Sequence, residues 1–484
     1  MSPEPVPLES PGLLGLRHMR AFLRDPLGFM TRAARAQGDV ACMRMLGRSY
    51  YLLSHPDDIE SLLVEHQDDV IKDLDTRRLG SHVLGQGLVN SEGALWRKQR
   101  KLMASAFTPR RIRSYAAAMD AIASRNLERW HDGMDVDLHA EMSRLTLHIV
   151  AAVLFGTDVE DDTERVAASM AVIDDFFSRS VEQLLRLPPW MPTPNVLRLR
   201  RAVRGIDEII YRIIGERRGR GHGAGPGASS DAPGETPDAT PGDVRDSGVR
   251  DDVLAALLAA RDDGGTGMTD QQLRDECVTL FLAGHETTAL ALVHALYLLA
   301  RHPGIEARFH DEVSAVLGAP GHTDPDLPAS DAAARLVHTE RVLKEAMRLY
   351  PPVWAIGREV RRPFALRSQH FDVGAQLAVS QWVLHRDPRW FPAPERFDPD
   401  RWLPERAAGI PRMAFLPFGG GPRICIGNHF AMTEAVLVLA RIGQRFRVEL
   451  PAGPAGTELA FRPSVTLRPR DGGLRGRVIA RKPA

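Results

Sequence analysis

Ten residues, Phe418-Gly-Gly-Gly-Pro-Arg-Ile-Cys-Ile-Gly427, carry the strongest chemical signal in this 484-residue chain. Glycines crowd one side of Cys425 and another follows it, so the backbone can wrap closely around something flat and large. A thiolate ligand needs its charge stabilised. Backbone N–H groups of such a loop, and a helix expected to start near Asn428, can do that. Arg423, two positions before the cysteine, is placed to reach a carboxylate bidentately. The competing reading is a glycine-rich turn around an inert, buried cysteine.

The segment Ala283-Gly-His-Glu-Thr-Thr288 sits inside a strongly apolar helical stretch. Gly284 costs such a helix about 1 kcal/mol against alanine, and an acid followed by two hydroxyls packs poorly in mid-helix. A local opening of the hydrogen-bond ladder there would admit a small molecule or water. The alternative, the polar face of a surface helix, conflicts with the apolar flanks at 280–282 and 289–293. Trp96 and Arg100 share a helix face at a spacing of four, and Glu345 and Arg348 at a spacing of three. Taken singly, such pairs are common and weak.

Together these segments resemble the cytochrome P450 family. Phe418, Gly421, Cys425 and Gly427 match its F-x-x-G-x-x-x-C-x-G, with Arg423 at the common basic position. Residues 283–288 are similar to its A/G-G-x-D/E-T-T/S. Glu345-Ala-Met-Arg348, followed by Pro351-Pro352, matches its E-x-x-R, and Trp96-Arg-Lys-Gln-Arg100 its W-x-x-x-R. The resemblance runs from about residue 25 to the C-terminal strand segments. It implies the family's fold, with haem b between the long oxygen-binding helix and the cysteine-loop helix.

The roles it implies fall on named residues. Cys425 is the axial iron ligand, whose thiolate pushes electron density toward O–O cleavage. Thr287 and Glu286 relay protons, Gly284 leaves room for dioxygen, and His285 faces away from the iron. Trp96, Arg100 and Arg358 hold the propionates, with Phe418, Gly421, Arg423, Gly427 and Ala283 completing the cofactor site. Arg396, in Pro394-Glu-Arg-Phe397, completes a structural cluster with Glu345 and Arg348. Substrate meets Thr279, Ala283, Val353, Trp354, Ala355 and the loop 79–88.

The implied activity is hydroxylation or epoxidation of a lipophilic molecule such as a terpenoid or a fatty acid. It uses O2 and electrons ultimately from NAD(P)H. No reductase domain is recognisable, so a separate ferredoxin or flavodoxin with its reductase is expected. A basic run over Arg97, Lys98, Arg100, Lys101, Arg110, Arg111 and Arg113 is either a solvated face or the docking patch for that acidic partner. Competing classes are a haem-thiolate isomerase or lyase acting on hydroperoxides, which the acid–threonine pair disfavours, a non-enzymatic haem sensor or electron carrier, and a helical protein without haem.

The elements that must position these residues are mostly helical. Apolar residues recur at three and four positions over 116–130, 142–155, 196–218, 270–302, 305–317, 332–350 and 429–446. Strand-like pieces are short: 40–45, 49–54, 376–379, 445–450 and 465–468. That predicts one mainly α domain over 1–484 with a minor β region. Residues 219–250 hold no Leu, Ile, Met or aromatic residue. Such a stretch cannot offset its ordering entropy, so a flexible insertion between helices is expected.

Composition limits the rest. The formal net charge is +0, which argues against a nucleic-acid binder. Three widely spaced cysteines, Cys42, Cys277 and Cys425, fit a reducing compartment. No signal peptide is recognisable. The longest apolar runs, near 149–155 and 289–300, fall short of the roughly 18 residues of a membrane span, so a cytoplasmic protein without membrane insertion is expected.

Overall fold

Apolar periodicity becomes helix here, with a side-chain cap at the start of some helices and none at others. The computed structural model describes residues 10–80, 83–156, 165–173, 175–176, 193–222, 252–322, 324, 326–367, 369–451, 459–470 and 474–482. Helices α1 (Leu16–Arg24) and α2 (Pro26–Gln37) lead into a β hairpin. Then come α3 (Gly93–Ala104), α4 (Pro109–Leu127), α5 (Leu138–Phe155), α6 (Pro194–His222), α7 (Asp270–Arg301), α8 (Pro303–Leu317), α9 (Ala329–Arg335), α10 (Val337–Leu349) and α11 (Asn428–Arg445).

Two of the central helices, α5 and α7, have a local reason to begin. Asp137 accepts the N–H groups of His139 and Ala140 at the start of α5, and Gly156 ends that helix at φ 56°. Thr269 and Gln272 form a reciprocal capping box at the start of α7. Where one helix is expected over 332–350, the chain instead breaks at Leu336 (φ −81°, ψ 57°). The new start is capped from outside: Glu312 on α8 accepts the N–H groups of His338 and Thr339. A cap delivered by another helix leaves no local sequence signal.

The strands are β1 (Val40–Met45), β2 (Arg48–Leu53), β3 (Val70–Lys72), β4 (Asp135–Asp137), β5 (Ile356–Val360), β6 (Phe364–Leu366), β7 (Gln369–Phe371), β8 (Gln376–Val379), β9 (Phe446–Glu449), β10 (Phe461–Pro463), β11 (Leu467–Pro469) and β12 (Arg475–Ala480). The main sheet has the order β1-β2-β8-β5-β3, antiparallel except for β2 against β8. Its register sets Lys72 directly opposite Arg358.

The largest core joins α4, α5, α7, α10 and α11. Windows of α5 and α7 reach a mean hydropathy of 1.2 over membrane-spanning length, more than the short apolar runs suggested, but 61% and 72% of them is buried in protein. They are the axis of the core. Gly284 sets the spacing between the two: a Cβ there would stand 3.0 Å from Val150 Cγ2. Of the expected insertion, residues 219–222 belong to α6 and 223–250 lie outside the described residues.

Candidate active site

Cys425 sits in the turn just before α11, its N–H bonded to the Phe418 carbonyl at 2.9 Å. Gly421 makes that turn possible. Its φ is +68°, and the Cβ of any other residue would collide with the Leu63 carbonyl. At Gly427 a Cβ would stand 4.0 Å from Cys425 Sγ. The sulfur is exposed, but the space it faces is a cavity of about 1020 Å³ that Phe418, Ala283 and Thr287 also line. Burial among protein atoms pushes the Cys425 thiol up, while the Gly427 N–H and the Arg100 charge favour the thiolate.

One end of the cavity gathers Trp96, Arg100, Arg358 and Arg423, as the sequence pattern anticipates, and also Lys72, which it did not suggest. A lysine closing a short apolar strand matches no motif. Arg423 spends its charge within the protein. It pairs with Glu92 and lies 4.3 Å from the Trp96 ring centroid. Among the described residues the Arg358 side chain makes one hydrogen bond, to the carbonyl of its neighbour Gly357 at 2.7 Å. Arg100 makes none among the described residues.

Burial and the Arg423 charge push the Arg358 guanidinium down to about 10. Burial, with Arg423 contributing, pushes the Lys72 ammonium down to about 7. Like charges opposite one another on paired strands destabilise a sheet, and Lys72 faces Arg358 in that way. Cations with unused donors, beside an apolar cavity and a cysteine thiol, are what a flat dianion with a thiolate-ligated metal requires. The residues present therefore fit haem b. Arg100, Arg358 and Lys72 would meet its carboxylates, and Cys425 its iron.

On the opposite wall, α7 runs unbroken from Asp270 to Arg301, so the expected opening of its ladder is not found. Spare carbonyl lone pairs absorb the polar groups instead. The Thr287 hydroxyl donates to the Ala283 carbonyl at 2.7 Å and the Thr146 hydroxyl to the His285 carbonyl at 2.9 Å. Gly284 lines the cavity with its backbone while its Cβ position faces Val150, so its immediate role is helix packing. His285 is buried and bonded to the Phe281 carbonyl at 2.6 Å, away from the cavity.

Glu286 lines the cavity in an ion pair with Arg468 of β11 at 2.7 Å, and His139 Nε2 stands 3.4 Å away. Burial alone would raise this carboxyl. The hydrogen bond from His139 and the charges of Arg468, His139 and His285 outweigh it and hold the group well below the usual carboxylate range. Neither Arg468 nor His139 stands near Glu286 in sequence, and no motif marked them.

Thr279, Val353, Trp354 and Ala355 line the same cavity, as do Gly80, Leu84 and Leu88 of the loop expected there. Residues 81 and 82 lie outside the described residues. Behind the cysteine loop, Glu345 and Arg348 form a fully buried pair at 2.8 Å. Arg396 does not complete it. Its side chain is exposed and only its carbonyl accepts from Arg348, at 3.1 Å. The third arginine is Arg401, 3.3 Å from Glu345. A turn at Ala393 (φ 49°) points position 396 outward and leaves 401 to enter the interior.

The basic run divides likewise. Arg97, Lys98 and Lys101 pair with Asp68, Asp262 and Asp263, Arg100 faces the cavity, and Arg110 and Arg113 are exposed at the start of α4.

Residues 7–473 match the sequence profile of the family described as Cytochrome P450. Cyclooctatin synthase of Streptomyces melanosporofaciens is 36% identical over 467 residues, covering 95% of this chain and 93% of that protein. Pentalenene oxygenase of Streptomyces avermitilis is 34% identical over 475 residues, covering 96% and 95%. Among solved structures, retinoic acid bound cyanobacterial CYP120A1 superposes with a TM-score of 0.79 at 27% identity, covering 99% of both chains.

Proposed function

Since the chain belongs to the cytochrome P450 family, and is a haem b monooxygenase acting on a lipophilic molecule with O2, we propose that its substrate is a cyclic terpenoid. The observation that carries this is the apolar lining of the cavity that also holds Thr287, where Leu84, Leu88, Leu154, Leu280 and Val353 offer shape and no charge. Names of the relatives point the same way: a cyclooctatin synthase and a pentalenene oxygenase. Arg48, exposed and lining the cavity beside Tyr50, is the observation favouring a fatty acid, whose carboxylate it would meet. A panel of cyclic terpenes, their alcohols and long-chain fatty acids, screened by the spin-state shift of the haem spectrum, decides. Micromolar shifts with the terpenoids alone are expected; shifts confined to the fatty acids would replace this reading with the second.

Haem supplies the redox chemistry with dioxygen, and this chain's residues bind, orient and protonate. Cys425 Sγ ligates, its charge eased by the Gly427 N–H and Arg100. The apolar wall holds substrate and excludes water. Thr287 Oγ1 is a donor and an acceptor, and so passes protons from the cavity side of α7. Glu286, ion-paired to Arg468, keeps an ionised oxygen beside it that can take a proton by way of His139.

On this assignment Thr287→Ala leaves haem binding intact but lowers product formed per NAD(P)H by tenfold or more, the lost electrons appearing as peroxide. A positioned proton donor is worth about 10²–10⁴-fold. Unchanged product yield would remove Thr287 from the relay.

Electrons reach the chain from an acidic ferredoxin or flavodoxin that docks on the start of α4. Phe107, just before that helix, lies 3.9 Å from the Cβ position of Gly427, and this closeness to the cysteine loop supports the docking face. Reversing the charges of Arg111 and Arg113 should slow reduction about tenfold at low salt, with the difference fading as ions screen the field. A reduction rate indifferent to both changes would move the docking site elsewhere. The burial of α5 and α7 in the core supports the reading of a cytoplasmic protein without membrane insertion.

A further inference from the structure

The segment 83–91 lines the cavity through Leu84, Leu88 and Val89. It has no regular structure, yet side chains from three separate elements grip its backbone. From α7, the Asp275 carboxylate accepts the Gln86 N–H at 2.8 Å, the Glu276 carboxylate accepts the Leu88 N–H at 2.9 Å, and Arg274 donates to the Val83 carbonyl at 2.9 Å. From α3, Gln99 donates to the Gln86 carbonyl at 2.6 Å. From β3, Lys72 Nζ donates to the Leu88 carbonyl at 3.3 Å and to the Ser91 carbonyl at 2.8 Å.

Two glycines bring the segment this close. Gly85 (φ +54°) lies against the Asp275 carboxylate, and a Cβ on Gly87 would stand 2.6 Å from the Asp275 carbonyl.

Leu88 is therefore held from both sides, its N–H by Glu276 and its carbonyl by Lys72. An ammonium has three donors, and two of those on Lys72 are used by the segment. Lys72 also lines the cavity, directly across the strand pair from Arg358. We propose that Lys72 is a positioning residue whose remaining donor takes a haem carboxylate, so that the bound cofactor itself fixes the substrate-lining segment 83–91. This rests on the haem monooxygenase reading above.

Electrostatics explain why an anion is needed. Around Lys72 stand Arg358 of β5, Arg423 of the cysteine loop, Glu92 before α3 and Glu276 of α7. Burial, followed by the Arg423 charge, holds the Lys72 ammonium down to about 7, with Arg358 adding to the depression. Glu92 opposes this but is itself paired with Arg423, and Glu276 gives less help, because burial pushes its carboxyl up to about 8. A carboxylate from the cavity side offsets both arginines and keeps Lys72 protonated. Only a protonated lysine can donate to two carbonyls and an anion together.

The test is hydrogen–deuterium exchange on the haem-loaded protein. Lys72→Met is expected to speed exchange at Gln86, Leu88 and neighbouring amides at least tenfold, while amides of α11 stay as they are and Lys72→Arg restores most of the protection. Wild-type protein reconstituted with haem dimethyl ester, whose carboxylates are capped, should exchange like Lys72→Met. Equal protection of 83–91 in Lys72→Met and wild type, or in the ester and free-acid forms, would overturn the proposal. The carbon monoxide spectrum of each sample keeps the two ideas separate. A far-shifted Soret band that persists while exchange is unchanged rejects only the role of Lys72; absence of that band in wild type rejects the haem-thiolate reading beneath it.

Discussion

Replacing Cys425 by alanine is expected to abolish monooxygenation and the far-shifted Soret band of the reduced, carbon monoxide-bound protein. Without iron the Cys425 thiol resists ionisation. Burial pushes its ionisation up, and the Gly427 N–H with Arg100 offsets only part of that. A coordinated metal ion deprotonates a thiol outright, so the environment of Cys425 is arranged for a thiolate only when iron is there. Alanine removes the donor yet leaves Arg100, Arg358 and the apolar walls, and haem should still bind with reduced affinity. The band is read directly from a difference spectrum. Its survival in the alanine variant would show that another residue ligates the iron, and among the described residues lining the cavity there is no histidine and no second cysteine.

The second large effect is structural. Glu345 is fully buried and accepts from Arg348, Arg401, Trp402 and the Asp398 N–H. Arg348 in turn donates to the carbonyls of His385, Pro394 and Arg396. His385 continues the chain of contacts by accepting the Leu416 N–H at 2.9 Å, two residues before Phe418. Glu345→Ala strands two buried guanidinium groups. Breaking a buried pair costs about 3–5 kcal/mol, against a total stability of about 5–15 kcal/mol for a typical protein.

Most of the variant should therefore fail to assemble with haem, and what does assemble should unfold at markedly lower urea concentration. Arg396→Ala is the contrast. Only the carbonyl of that residue is used, so its cost should stay within about 0.5 kcal/mol. A denaturation midpoint unaffected by Glu345→Ala, or a large loss with Arg396→Ala, would mean that the cluster is assigned to the wrong arginine.

That arginine shows where local pattern stops. Positions 396 and 401 both carry arginine within one proline-rich stretch, and which of them enters the interior depends on how the turn at Ala393 rotates the chain. Nothing local decides that rotation. The split of the helix expected over 332–350 has the same origin, since Glu312 caps the second half from a different helix. Gly284 is another case. Its rarity in a helix is visible in the sequence, but that the missing side chain makes room for Val150 of α5 appears only once the two helices are packed.

What the sequence by itself determined is the chemistry. The cysteine turn, the acid–threonine pair and the Glu–Arg pair are short-range constellations that carry the resemblance to the family, and that resemblance names the cofactor and the reaction. Periodicity predicts the helices that carry them, and Thr269 with Gln272 caps the start of α7 locally. Tertiary structure alone decided the partners: Lys72 across a strand pair from Arg358, Arg468 and His139 on Glu286, and Asp275 and Glu276 on the loop that lines the cavity. These contacts join residues about 150 to 290 positions apart. Long-range electrostatic pairing depends on distance in space, and a linear chain carries no record of that distance until its core has closed.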